Sequence, residues 1–187
     1  VLDWYAVVAG VPREEAYKAL AGKRTFRAPA PRVEKKPQAE ENPLLDVDAR
    51  HATYQALLSR LSLATDHREN LLSRGLSQEE IHRLGYKTTP VLGFTSLAKH
   101  LREEGCYVAG VPGFYKEQEQ WTLKFPGRGI LIPVRDQQKR IQGMQVRLDN
   151  VEKRKFRWLS SAGLPEGCGA KTWVHLAGEP RPLVLLT

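Results

Sequence analysis

Residues 128–148 read Arg128-Gly129-Ile130-Leu131-Ile132-Pro133-Val134-Arg135-Asp136-Gln137-Gln138-Lys139-Arg140-Ile141-Gln142-Gly143-Met144-Gln145-Val146-Arg147-Leu148. Ile130 to Val134 is an unbroken apolar run, the pattern of a strand buried on both faces. Asp136 to Arg140 is a polar turn. From Ile141 the pattern alternates: Met144, Val146 and Leu148 fall on one face, Gln145 and Arg147 on the other. The stretch is a hairpin whose outer face carries Arg135, Gln145 and Arg147. Phe156 to Leu159 predicts a third, short strand, Trp173 to Leu176 a further one, and Leu183 to Leu186, after Pro182, a parallel core strand.

Upstream the periodicity is helical. Tyr54, Leu57, Leu58 and Leu61 place a helix over about residues 48–62. A second runs from Thr65, a candidate cap, to about Arg74, with Gly75 just past its end. Ser77-Gln78-Glu79-Glu80 is a capping box; it opens a short helix that buries Ile81 and Leu84 and stops at Gly85. A fourth helix starts near Thr95 or Ser96 and carries Leu97 and Leu101 to Gly105. The fold class is therefore α+β: a helical part over residues 45–104, then a small mixed or antiparallel sheet over 105–187. Before it, residues 1–22 read as a small helical unit around Trp4, Tyr5, Val7, Val8 and Val11. Residues 23–44, with four prolines and six cations, read as an extended linker.

The chain has 187 residues, enough for one ordinary core and an appendage. With 41% hydrophobic and 27% charged residues the composition is that of a globular protein, and no apolar run approaches the roughly 20 residues of a membrane helix. A cytoplasmic monomer is expected. The chain opens on Val1 and its single methionine is Met144, which reads as part of a longer protein. Cys106 and Cys168 are expected as reduced thiols, and neither they nor the five histidines show metal-ligand spacing. No acid pair, nucleophile–base pair or phosphate loop stands at convincing spacing. Asp46 and Asp48, flanking Val47 at a helix start, are explained by capping.

The net charge is +8, and its position matters more than its size. Between Lys124 and Arg157 stand ten cations against Asp136, Asp149 and Glu152, a local excess of +7. Such a block is the footprint of a polyanion site, with a solvated surface as the competing reading. Lys155 and Arg157 alternate with Phe156 and Trp158. Cations bind phosphates and exposed aromatics stack on bases, although core burial is the favoured reading of the two aromatics. A salt bridge to Asp149 is the bland account of Arg147. Pairing with Asp136, or holding the turn, is that of Arg135. Lys139 and Arg140 are expected to be merely solvated.

The order of these segments resembles the bacterial DNA primase core. Arg128 to Asp136 is similar to that family's Phe-Pro-Ile-Arg-Asp strand, Gly143 to Arg147 to its Gly-Gly-Arg strand, and Lys155-Phe156 with Leu159-Ser160-Ser161 to its Lys-Tyr-Leu-Asn-Ser segment. Arg74 to Ser77 with Leu84-Gly85-Tyr86 looks like its Arg-Gly-Leu and Leu-Gly-Tyr pair. The likeness spans about residues 54–161. Asp3 to Val8 resembles the helical tail after the primase zinc ribbon, and Leu183 to Thr187 the first strand of a Toprim domain. The resemblance implies a nucleotidyltransferase parent of plasmid, phage or integrative-element type that makes RNA primers on single-stranded DNA, with Mg²⁺ on Toprim carboxylates and Zn²⁺ in the missing ribbon, and with a replicative helicase as partner or fused domain. It implies that this part holds template without catalytic residues of its own. The expected nucleic-acid-binding set is Arg128, Arg135, Arg147, Lys155, Arg157, Trp158 and Lys171. Arg128 sits one place early against the family arginine and Ser160 replaces an asparagine. The alternative is a non-enzymatic interaction domain of a mobile-element replication protein. A helix-turn-helix over residues 65–85 is disfavoured, because its second helix is short and carries two acids.

Overall fold

The computed structural model describes residues 42–176 together with Gly10, Pro12, Glu14 and Glu15. The chain divides into two units, Val1–Lys36 and Pro37–Thr187. In the first, Glu14 and Glu15 are helical and the Glu15 amide donates to the Pro12 carbonyl. The rest of the expected N-terminal helical unit, most of the linker and the expected strand over Leu183–Leu186 lie outside the described residues. Asn42, the first described residue of the second unit, is already tied down: its amide donates to the Gly167 carbonyl at 2.8 Å.

Within the second unit the elements run α1 (Val47–Ser59), α2 (Thr65–Ser73), α3 (Gln78–Leu84), β1 (Lys87–Thr88), α4 (Phe94–Glu103), β2 (Phe114–Glu117), β3 (Gln120–Leu123), β4 (Gly129–Arg135), β5 (Ile141–Leu148) and β6 (Phe156–Trp158). The four expected helices form within a few residues of their expected bounds. Asp46 caps α1 by accepting from the Asp48 and Ala49 amides, both at 3.0 Å. The Ser77–Glu80 capping box closes in both directions, and Gly85 ends α3 at φ +74°. Thr65 is not a cap: Ala64 holds that position, and its own amide is satisfied by Thr88 Oγ1 at 2.8 Å.

One sheet orders its strands β1-β4-β5-β6, all antiparallel. Its first face carries Leu131, Met144 and Val146 into the main core, against Tyr54 and Leu57 of α1 and Ala98 and Leu101 of α4. The Tyr54 hydroxyl, fully buried, donates to the Pro112 carbonyl at 2.8 Å, and burial pushes its phenol far above the ordinary value. On the second face Ile130 meets Leu71 of α2 and Ile81 of α3. Helices thus cover both sides of β4, which is why Ile130–Val134 is apolar without alternation. A register shift between Val134 and Arg135 ends the ladder.

Two expectations fail here. Trp173–Leu176 is not a strand; it crosses the end of β4 and β5 through single contacts, Arg135 N to His175 Nδ1 at 3.1 Å and Leu176 N to the Arg135 carbonyl at 3.1 Å. The β2–β3 hairpin, a separate two-stranded sheet, was not expected. Its turn residues Gln118 and Glu119 both take positive φ, +47° and +61°, a conformation that usually announces itself with Asn or Gly.

A polar latch fastens α2 to the sheet. Arg128 donates to Asp66 Oδ2 on α2 at 2.7 Å and to Asp149 Oδ2 after β5 at 2.6 Å. His67, buried between them, bonds Asp149 through Nε2 at 3.0 Å and Thr88 through Nδ1 at 2.7 Å. The Arg128 hydrogen bond holds the Asp66 carboxyl below its ordinary value. Because that value is lowered on folding, the stabilisation is present above the unfolded pKa and lost as pH falls through the folded one.

Two outcomes are expected. Replacing Asp66 by Asn lowers the denaturant midpoint at neutral pH, and the gap to wild type closes as pH falls below 3.8, the ordinary aspartate value; a gap independent of pH contradicts the latch. Gly143→Ala places a methyl 2.3 Å from the Trp173 ring. It is expected to cost roughly 1–3 kcal/mol in urea unfolding as the indole is displaced; unchanged stability contradicts that packing.

Candidate nucleic-acid interface

Across β5 and β6, directly opposed residues share a face. Arg147 opposes Phe156, and Gln145 opposes Trp158. These four stand on the second face, beside the part that α2 and α3 cover, because Ile130 opposes Arg147 and Ile132 opposes Gln145. Phe156 is 55% exposed, so the expected core burial of this aromatic is wrong. It lies on a three-residue strand that, among the described residues, is at the edge of the sheet. Trp158 is half-buried, its ring in edge contact with Trp173 at 5.2 Å between centroids. Trp173 in turn lies against Gly143 and under the Arg50 guanidinium, 5.2 Å from the ring centroid. Arg50 is itself buried and held by the Leu45 and Gln142 carbonyls. The aromatic strip is therefore fixed from behind, which lowers the entropy lost when a flat ligand stacks on it.

At the end of this strip lies an open groove whose walls include Asn70, Arg147, Asn150, Glu152 and Lys155. Arg147 reaches Asn70 Oδ1 at 3.5 Å, and the Lys155 carbonyl accepts from the Leu148 amide at 2.7 Å, fixing its backbone at the mouth. The Arg147–Asp149 salt bridge, the bland account of Arg147, does not form, because Asp149 is committed to Arg128 and His67. Among the described residues no carboxylate lies within 4 Å of Arg147 or Lys155.

The other expected contacts are not gathered here. Arg128 borders the groove but both arms of its guanidinium are spent in the latch, whose acids raise its pKa further. Arg135 is at the opposite end of β4, about 20 Å away along the strand; its Nη1 donates to the Lys139 carbonyl and holds the turn. Arg157 opposes Val146, so it points to the face opposite Phe156 and Trp158, at the sheet edge. Lys171 is exposed in an irregular segment. Arg140, expected to be merely solvated, is tied to Asp136 at 2.8 Å and Asp48 at 3.1 Å. Asn70 and the 150–152 loop were not anticipated as groove walls; they come from a different helix and an irregular turn, and carry no charge pattern in the sequence.

No family model matches the chain, and no curated protein matches it. Solved structures do. The RNA polymerase domain of Mycobacterium tuberculosis primase DnaG, crystallised with a double-stranded DNA oligomer bearing a 6-nucleotide overhang, is 19% identical over 65% of this chain and 41% of its own, with a TM-score of 0.50. The Aquifex aeolicus primase, zinc-binding and RNA polymerase domains together, is 17% identical over 87% of this chain and 39% of its own, with a TM-score of 0.49. The E. coli primase catalytic core gives 21%, 63%, 39% and 0.41 on the same measures. The chain spans about two fifths of the length of these structures, and its described part has the α+β fold of part of a primase RNA polymerase domain.

Proposed function

We propose that this chain is the template-holding part of a DNA primase, a piece that binds single-stranded DNA and is catalytically incomplete by itself. One observation carries the reading: Arg147 and Lys155, with no described carboxylate within 4 Å, line one groove beside the exposed Phe156 and the half-buried Trp158. Two cations at the end of an aromatic strip match a strand whose phosphates run past the groove while its bases turn onto the rings. The fold supports it, since the M. tuberculosis domain of similar fold was crystallised with DNA. In this reading the carboxylates that hold Mg²⁺ and the module that holds Zn²⁺ are supplied by other parts of the parent protein. A replicative helicase is the partner class, and the source is a plasmid, phage or other mobile element. Arg157 and Lys171 contribute only diffuse attraction, Arg135 stands outside this groove, and Arg128 acts by fixing the groove wall.

The binding is expected to fall with salt. For single strands each neutralised phosphate contributes about −0.7 to the slope of log affinity against log salt. Arg147→Ala with Lys155→Ala should therefore flatten that slope by about 1.4, read by fluorescence anisotropy of a labelled single-stranded oligonucleotide across a salt series. Phe156→Ala should instead cost roughly 1–3 kcal/mol with the slope unchanged, the mark of lost stacking. Wild-type affinity and slope in the double variant would refute the proposal and leave an interaction domain with another partner.

A further inference from the structure

A second cleft opens on the far side of α3, about 570 Å³ in volume, between the C-terminal end of α1, the α3 helix and the β1 edge of the sheet. Its walls carry Arg68, Arg83, Lys87 and Arg135, and no carboxylate among the described residues lines it. Arg68 and Arg83 are exposed and have no described carboxylate within 4 Å. Four cations around one cavity, with no described carboxylate in its lining, raise the local potential and concentrate an anion there. Arg135 is half-withdrawn from water, and that burial pulls its guanidinium below the ordinary value. His51 and His175, the titratable rings facing Arg135, are lowered by their own burial and then by Arg135.

The floor is of another kind. Leu58, Ile81 and Ile141 are buried at its base, and Leu61, Leu63 and the half-buried Tyr86 border it. A cleft that joins a basic rim to an apolar floor suits a ligand with a phosphate at one end and a flat apolar body at the other. The guanidinium forks of Arg68 and Arg83 suit phosphate oxygens. The volume falls within the range of ordinary small-ligand pockets.

We infer that this cleft is a nucleotide-binding site, with Arg68, Arg83, Lys87 and Arg135 around the phosphates and Leu61, Leu63 and Tyr86 against the base. It is separate from the groove of Arg147 and Lys155, which do not line it. Its nucleotide comes either free, as a nucleoside triphosphate, or as part of a strand; the chemistry recognised is the same.

The test uses the whole 187-residue chain and three probes: a fluorescent ribonucleoside triphosphate, a single-stranded oligonucleotide, and inorganic phosphate as competitor. Arg68→Ser with Arg83→Ser removes two exposed groups whose side chains make no described hydrogen bond or salt bridge, and circular dichroism and thermal unfolding check that the fold is kept. The double variant is expected to bind at least tenfold more weakly to the triphosphate if the source is free, or to the oligonucleotide if the source is a strand. Arg147→Ala with Lys155→Ala is expected to leave triphosphate binding unchanged, so failure here is distinct from failure of the template reading. Unaltered affinity for both nucleotide probes overturns the inference. So does displacement by inorganic phosphate at equal concentration, since then the base contributes nothing.

Discussion

The pairing of Gly129–Arg135 with Ile141–Leu148 has to be covered from both sides at once, and the rest of the body is arranged to meet that demand. On one side α1 and α4 supply Tyr54, Leu57, Ala98 and Leu101. On the other α2 and α3 supply Leu71 and Ile81, but only as far as Ile130 and Ile132. The second cover is the thinner one. It rests on short helices of nine and seven residues that burial alone would hold weakly, and the Asp66–Arg128–Asp149 contacts reinforce it. Where that cover stops, the sheet is open.

Of the three acids that line the groove, Asp66 and Asp149 are drawn away into this reinforcement. Asp149 stands two residues from Arg147 in sequence, yet it faces Arg128 and His67. A feature that holds the helices in place thereby also leaves Arg147 and Lys155 uncompensated. Structure and electrostatics are joined at a single residue, Arg128, which a count of cations along the sequence treats as a ligand.

The fold was largely legible in the sequence because it is written in local terms. The apolar run of β4, the alternation of β5 and the Ser77–Glu80 box each depend on neighbours within a few positions, and all three formed as expected. The β2–β3 hairpin escaped because Gln118 and Glu119 adopt left-handed backbone without the residues that normally mark it. The site was less legible. A charge total over residues 124–157 cannot say which cations meet acids folded in from α2, and it overlooked Arg68, Arg83 and Lys87, which come from three separate elements. Alternation suggested burial for Phe156, but burial on an edge strand requires something on top, and that is decided by tertiary packing.

The outermost strand of the sheet is three residues long, and among the described residues it has a neighbour on one side only. Unpaired peptide groups in such a position invite another chain to continue the sheet, the first step of fibrous self-association. Lys153, Arg154 and Lys155 lead into it and Arg157 sits at its centre. Two molecules approaching edge to edge would bring these like charges together, and the brevity of the strand would offer little in return. The same cations therefore act as gatekeepers of solubility, whatever polyanion they meet.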